Sequence, residues 1–369
     1  MTPPSSSRSS LSSASTPLVA SGLTVREREI LRLVVTSFIE TAAPVGSRPL
    51  VRRYGLDLSP ATIRNTMSDL EEAGYLEHPH TSAGRVPTWR GYRTFVDELM
   101  QTDVLGESER GLVRAEVERL LAVDDAAREA SKLLGRLSNL LGVVLAPNLA
   151  TGILERIEAI PLSSTRVMFV LSLTGGLVRT LVLELEAGPQ RAPLDALIGL
   201  LNERLAGLTI DEIRRTYAAR LDDADDRTSL VRVILDRSHA LFAEQTSPDR
   251  LRVAGAQHLL AQPEFREPAD LRTFVRLLED EHFLVELLEA RAVTAPDGSP
   301  ADAPAPVGQA VVTIGREHGD ERAGRVAVVS ARYRVGDAVG TIGVVGPTRM
   351  DYARVVGIVE HVAALLSTP

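Results

Sequence analysis

The sequence predicts an α+β multidomain protein: an N-terminal winged helix-turn-helix, then an α/β domain interrupted by a helix-rich insertion. Three observations predict it. Three helical patterns before residue 74 are followed by two short extended pieces, the order of a winged helix-turn-helix. Apolar runs of strand character lie on both sides of a charged, helical block. The 369 residues are 44% hydrophobic and 24% charged, a globular composition long enough for two or three domains.

Residues 2–22 hold nine Ser, three Pro, one Arg and no acid. They lack the continuous apolar segment of a secretory leader and read as a disordered tail. Thr24-Val25-Arg26-Glu27 fits a capping box, and Ile30, Leu31, Val34, Val35, Phe38 and Ile39 come after it at helical spacing. Ala43-Pro44-Val45-Gly46 stops that helix. Ser47 is placed to cap a short second helix through about Arg53, which Gly55 ends. Ser59-Pro60 opens a third helix, with Ser as N-cap and Pro at its first position, and Gly74 stops it. Tyr75–His78 and Arg85–Pro87 are extended pieces joined by Pro79–Gly84. Thr88 is placed to cap a helix through Met100.

Residues 108–145 show helical spacing at Leu112, Val117, Leu120, Leu121, Leu133, Leu134, Leu137 and Leu141. The period then changes. Strands are predicted at Ile153–Ile160, Arg166–Leu173 and Leu177–Glu184, the last two joined by Thr174-Gly175-Gly176. Helix returns over Leu194–Leu205, and a second capping box, Thr209-Ile210-Asp211-Glu212, opens another through Leu221. Amphipathic stretches at about 228–243 and 270–290 precede an Ala/Pro/Asp-rich exposed loop at 292–308. Strands at 310–314, 325–335 and 339–345, with a turn at Val335-Gly336-Asp337, lead to a final helix from about Asp351 to Leu366. No internal repeat is present.

Composition excludes several function classes. The net charge of −8 excludes a uniformly basic nucleic-acid coat. The absence of Cys excludes disulfides, thiolate metal sites and cysteine nucleophiles and fits a reducing, cytoplasmic setting. Lys132 is the single lysine, so lysine has no catalytic or phosphate-cradling role elsewhere. Apolar stretches run to about eight residues, against the ~20 of a membrane-spanning helix.

The local charge pattern is more informative. Residues 41–68 carry Arg48, Arg52, Arg53 and Arg64 against one acid, Asp57, and residues 78–96 carry Arg85, Arg90 and Arg93 against none. Acids gather instead at Asp69, Glu71, Glu72 and Glu77. The helix-turn-helix and ribbon thus form a positive face on an acidic chain, as phosphate binding requires.

On the third helix Ile63, Met67 and Leu70 form the stripe to be buried. The opposite face presents Ala61, Asn65, Ser68 and Glu72, flanked by Thr62 and Arg64. Short hydrogen-bonding side chains with one Arg suit major-groove edges, Asn bonding adenine and Arg guanine bidentately. The candidate DNA contacts are Ser47, Arg48, Ser59, Thr62, Arg64, Asn65 and Ser68. At the ribbon, His80, Thr81, Ser82 and Arg85 are placed to touch phosphate or the minor groove. His78-Pro79-His80, with no nearby Cys or carboxylate ligand, is half a zinc site at most.

Elsewhere no catalytic arrangement, cofactor motif or metal set emerges. Gly336, Gly340, Gly343 and Gly346 match neither GxGxxG nor a Walker loop. Glu317, His318, Asp320 and Glu321 read as a hydrophilic loop. Asp351 is placed to cap the last helix.

The run LSPATIRNTMSDLEEAGYLEHPHTSAGRVPTWRGYRTFVDEL at 58–99 closely resembles the heat-inducible transcription repressor family, HrcA. So do TAAPVGSRPL at 41–50, IGRE at 314–317 and VGTIGVVGPTRMDYARVV at 339–356. The resemblance extends from about residue 22 to the end; the Ser-rich tail and the loop at 292–308 depart from it. It implies a winged helix, a GAF-like α/β domain and a dimerisation domain inserted into the latter. It also implies a non-enzymatic repressor of chaperone operons that binds a CIRCE-type inverted repeat of double-stranded DNA as a homodimer. Chaperonin would act as modulator, with neither membrane nor cofactor involved. The expected division is a tail at 1–22, a DNA-binding domain at 23–104, a GAF-like domain at 105–221 and 292–369, and the inserted dimerisation domain at 222–291. Within that insertion Phe274, Leu278, Phe283, Leu284 and Leu287 carry more apolar surface than a small helical core needs. They either pack internally or join two copies, and the resemblance favours joining. The alternative function is a winged-helix regulator controlled by a small metabolite in the GAF-like domain.

Overall fold

The structure, a computed structural model, describes residues 22–79, 84–101, 105–120, 125–184, 191–221, 242, 250–265, 268–289 and 306–367. The tail, the stretch at 228–241 and the loop up to residue 305 lie outside the described residues. The chain divides into two compact units, one ending at Met100 and the other comprising most of the chain beyond it.

The described part of the first unit is three helices, a ribbon and a fourth helix. Helix α1 (Val25–Thr41) begins with the expected capping box: the Thr24 amide donates to Glu27 at 2.7 Å, and the Glu27 amide donates to the Thr24 hydroxyl at 3.3 Å. It buries Ile30, Leu31, Val34 and Val35 and ends at Ala42, whose φ of 52° is left-handed. In α2 (Ser47–Tyr54) Gly46, not Ser47, occupies the N-cap. Ser47 is the first helical residue and is buried, so it neither caps nor reaches a surface ligand. Helix α3 (Pro60–Glu72) is capped by Ser59, whose hydroxyl accepts from the Thr62 amide at 3.1 Å. Its buried residues Ile63, Met67 and Leu70 are the expected stripe, joined by Thr66.

Strands β1 (Leu76–Glu77) and β2 (Val86–Pro87) pair antiparallel. Just before β2, Arg85 exchanges backbone hydrogen bonds with Val45 of the α1–α2 connection, at 2.9 and 3.0 Å. A Cβ on Gly84 would lie 2.8 Å from backbone atoms of Pro44 and Val45, so only glycine permits this approach. Thr88 caps α4 (Trp89–Thr94), which continues as one π-helical turn, Phe95–Leu99.

The second unit has two antiparallel sheets. The predicted helix over 108–145 is instead α5 (Glu107–Leu120), α6 (Ala126–Ser138) and a strand, β3 (Leu141–Leu145). Leu112 is 68% exposed, while Val113 and Val117 face inward. The larger sheet has the order β7-β3-β10-β9-β8, with β7 at Leu251–Ala254, β8 at Ala310–Ile314, β9 at Val326–Val335 and β10 at Ala338–Pro347. Gly142 lets α6 touch β3: a Cβ there would meet the Ser131 carbonyl at 2.1 Å. The last helix, α12 (Tyr352–Leu366), is capped by Asp351 and packs on β9. Beyond β7 come α9 (Ala256–Leu260), α10 (Pro268–Glu279) and α11 (Glu281–Glu289). Leu288 of α11 reaches the face of Gly343, opposite the Gly142 face by the period-two alternation.

The smaller sheet is β4-β5-β6, with β4 at Leu154–Pro161, β5 at Arg166–Leu173 and β6 at Leu177–Glu184. Helices α7 (Arg191–Leu205) and α8 (Ile210–Leu221) complete it. Its core joins Ile157, Phe169, Leu171 and Leu183 to Leu197, Leu201 and Leu205. Asn202 of α7 accepts from the Ile157 amide at 2.7 Å and donates to the Ile157 carbonyl at 2.9 Å, occupying the outer edge of β4. The two sheets meet at their turns. Gly175 (φ 79°) and Gly336 (φ 56°) touch, a Cβ on Gly175 falling 2.3 Å from the Gly336 Cα, and Thr174 donates to Asp337 at 2.9 Å.

This corrects the expected insertion at 222–291. The large sheet is interrupted between β3 and β7, because β7 pairs with β3 in the register Gly142↔Ala254 to Leu145↔Leu251. Residues 251–289 therefore accompany the large sheet, and the separately cored part is built on β4–β6, α7 and α8. The proposed dimer contacts are corrected too. Phe274, Phe283, Leu284 and Leu287 are buried within the chain and Leu278 partly so, with the Phe265 and Phe274 rings 4.6 Å apart. Core packing accounts for them.

Candidate nucleic-acid interface

Helix α3 turns its buried stripe toward α1 and leaves Ala61, Arg64 and Asn65 exposed, with Thr62 and Ser68 at the flanks. No acid stands in its first turn, so the helix dipole and the Ser59 cap leave that end electropositive. Ser59 and Thr62 have hydroxyls 2.9 Å apart, so the cap engages both side chains. Arg64 and Asn65 make no side-chain hydrogen bond or ion pair among the described residues. Such groups keep their donors for a ligand.

The seven arginines of the positive stretches divide by partner. Arg53 pairs with Glu40 and lies over the Tyr54 ring at 5.7 Å. Arg90 lies 4.5 Å above the Tyr75 ring and donates to the Ala73 carbonyl at 2.9 Å. Arg93 binds both oxygens of Asp97, at 2.6 and 2.9 Å. These three stabilise the unit itself. Among the described residues Arg48, Arg52 and Arg64 are exposed and without an ion pair. They are the cations this surface can offer to phosphate.

Arg85 is the fourth engaged arginine, which corrects its expected place at a DNA surface. Its side chain is only 15% exposed, and Nε lies 2.7 Å from Glu71 Oε2, an ion pair rather than an aligned hydrogen bond. His78 closes a triangle: Nδ1 is 3.0 Å from Glu71 Oε1, and Nε2 is 2.6 Å from an Arg85 terminal nitrogen. The sequence signal for this was present but weak. Glu71 stands four residues after buried Met67, so it flanks the inward stripe and not the outward face. His80, Thr81 and Ser82 lie outside the described residues. Trp89, 46% exposed beside Arg90, is an aromatic surface that charge patterning did not pick out. Among the described residues no group of three or more His, Asp or Glu is arranged to hold a metal ion, and no helix is long and apolar enough to cross a membrane.

The family profile and the curated relatives agree with each other. A profile of the HrcA protein C-terminal domain matches residues 124–356. A heat-inducible transcription repressor HrcA of Chlorobium chlorochromatii (strain CaD3) is 41% identical over 349 residues, covering 94% of this chain and 97% of its own. One of Chlorobium phaeobacteroides (strain BS1) is 42% identical over 350 residues with the same coverage. In fold, the chain is similar to a crystal structure of a hypothetical protein at 2.2 Å resolution, with a TM-score of 0.60, 24% identity, and coverage of 94% of this chain and 98% of that one.

Proposed function

The chain belongs to the HrcA family of heat-inducible transcription repressors, and on that premise we propose that it represses chaperone operons by binding a CIRCE-type inverted repeat. The first unit acts as a winged helix-turn-helix, with α3 in the major groove and the ribbon as wing. Arg64 and Asn65 read base edges, and Arg48 and Arg52 hold phosphates. The observation that carries this is the sorting of the seven arginines of the two positive stretches: among the described residues, the three that are exposed and without an ion pair, Arg48, Arg52 and Arg64, stand on α2 and α3.

An inverted repeat calls for a two-fold protein. The outer face of the small sheet supports a homodimer there. Ile160, Met168 and Val182 stand side by side across β4, β5 and β6, and Ile160 and Val182 are 43% and 41% exposed. The large sheet with its flanking helices serves as a GAF-like support. Chaperonin is the modulator that the family resemblance suggests, and the setting is the bacterial cytoplasm, at the nucleoid when operator is bound.

The test is fluorescence anisotropy of a labelled inverted-repeat duplex at two salt concentrations, against a duplex with one half-site scrambled. Tight, salt-sensitive binding that needs both half-sites supports the proposal. Binding indifferent to the scramble, with freshly folded protein and with chaperonin added, refutes it.

A further inference from the structure

Arginine has no acceptor, so the 2.6 Å contact between Arg85 and His78 has one sense: Arg85 donates and Nε2 accepts. Nε2 is therefore unprotonated, the proton sits on Nδ1, and Nδ1 donates to Glu71 at 3.0 Å. The triangle is complete only with neutral His78 in this one tautomer. It spans three segments: Glu71 on the last turn of α3, His78 just past β1, and Arg85 just before β2. Arg85 in turn holds Val45 through its backbone. The clasp thus fixes both roots of the ribbon to the helix that carries Arg64 and Asn65.

We propose that His78 is a positioning residue for DNA recognition, clasping the ribbon to α3 when neutral and losing its link to Arg85 when it takes a second proton. A proton on Nε2 would face a guanidinium N–H at 2.6 Å, donor against donor and cation against cation. Glu71 would hold both cations, but Arg85 would lose its place on the imidazole. The other charged groups nearby do not offset this. Glu72 and Glu77 are exposed and make no ion pair among the described residues, and Arg90 is held by Tyr75 and Ala73. The proposal rests on the DNA-binding function above.

Two measurements on the full chain test it. The first is imidazole ¹⁵N NMR, assigned with His78→Gln. The expected result near pH 7.5 is an Nδ1–H tautomer for His78. An Nε2–H tautomer, or a freely averaging ring, overturns the proposal whatever the chain binds. The second is anisotropy with the inverted-repeat and scrambled duplexes at about pH 7.5 and about pH 5.5. The wild type should lose roughly three- to ten-fold of its preference for the inverted repeat, the range of one hydrogen bond. His78→Gln, whose amide can accept from Arg85 and donate to Glu71, should keep the neutral-pH preference and abolish that loss. His78→Leu, checked for an unchanged melting curve, should show the loss already at about pH 7.5. An equal pH dependence in wild type and His78→Gln assigns the effect to other groups and overturns the proposal. If no duplex binds at all, the DNA function fails, and so does the positioning role, while the NMR still decides whether the clasp exists.

Discussion

Asn65→Ala and Arg64→Ala separate recognition from folding. Both side chains are exposed on α3, and neither holds another residue of the unit among the described residues. Their removal should leave stability within about 0.5 kcal/mol, Asn65→Ala if anything gaining slightly from alanine's helix propensity. Affinity should behave otherwise. A bidentate contact to a base contributes ~1–3 kcal/mol of discrimination, roughly 5- to 150-fold in Kd. Asn65→Ala should therefore weaken the inverted repeat by about that factor and leave the scrambled duplex nearly unchanged. Arg64→Ala has two distinguishable outcomes. A base-edge contact gives the same selective loss, whereas a phosphate contact weakens both duplexes and lowers the salt slope by about 0.9. Ile63→Ala is the contrasting control. Ile63 is fully buried, so its truncation should cost about 2–5 kcal/mol of stability and affect binding only through unfolding. Anisotropy titrations at two salts, with thermal melts of each variant, make the measurement. A stability loss in Asn65→Ala comparable to that of Ile63→Ala, or unchanged affinity in both surface variants, would refute the placement of α3 as the reading element.

Gly84→Ala should destabilise the first unit by about 1–3 kcal/mol, because the new methyl would press on Pro44 and Val45 backbone; chemical denaturation followed by Trp89 fluorescence checks this. Burial pushes His318 down from its ordinary value to about 4, and a weaker opposing pull comes from the Val326 carbonyl, toward which a ring N–H would donate. Unfolded chain then binds a proton that folded chain refuses, so stability present above about pH 6.5 should fall by about 2 kcal/mol on going to pH 5. Urea titrations of wild type and His318→Gln at both pH values should show that the variant lacks this increment; equal losses would contradict the assignment. Val182→Asp puts a carboxylate at the β6 end of the exposed row on the small sheet. It should convert a dimer to a monomer by light scattering while the far-ultraviolet circular dichroism stays unchanged, and a persisting dimer would move the interface elsewhere.

The range of each interaction decides how legible it is in the sequence. Thr24–Glu27, Ser59-Pro60 and Thr209–Glu212 form caps within one turn, and each opens the helix it should. The outward face of α3 is likewise a property of one helix. Leu141–Leu145 is buried on both faces and carries no period of its own, so it reads as a continuation of the helix before it. The pairing of β7 with β3 joins residues more than a hundred positions apart, and no local pattern marks it. The same limit applies at the site. Which arginines keep their charge for a ligand depends on carboxylates and rings such as Glu71 and Tyr75, brought close only by the packed ribbon. An apolar helix such as α11 shows that it must be covered, but its sequence is silent on whether its own sheet or another subunit covers it.

The contact between Gly175 and Gly336 has a mechanical consequence. Two turns meet backbone to backbone, and the hydrogen bond from Thr174 to Asp337 spans the same place. Close-packed atoms leave no room there for a side chain. The spacing of the two sheets at this point is therefore set by peptide planes. Any residue larger than glycine at either position would wedge the turns apart.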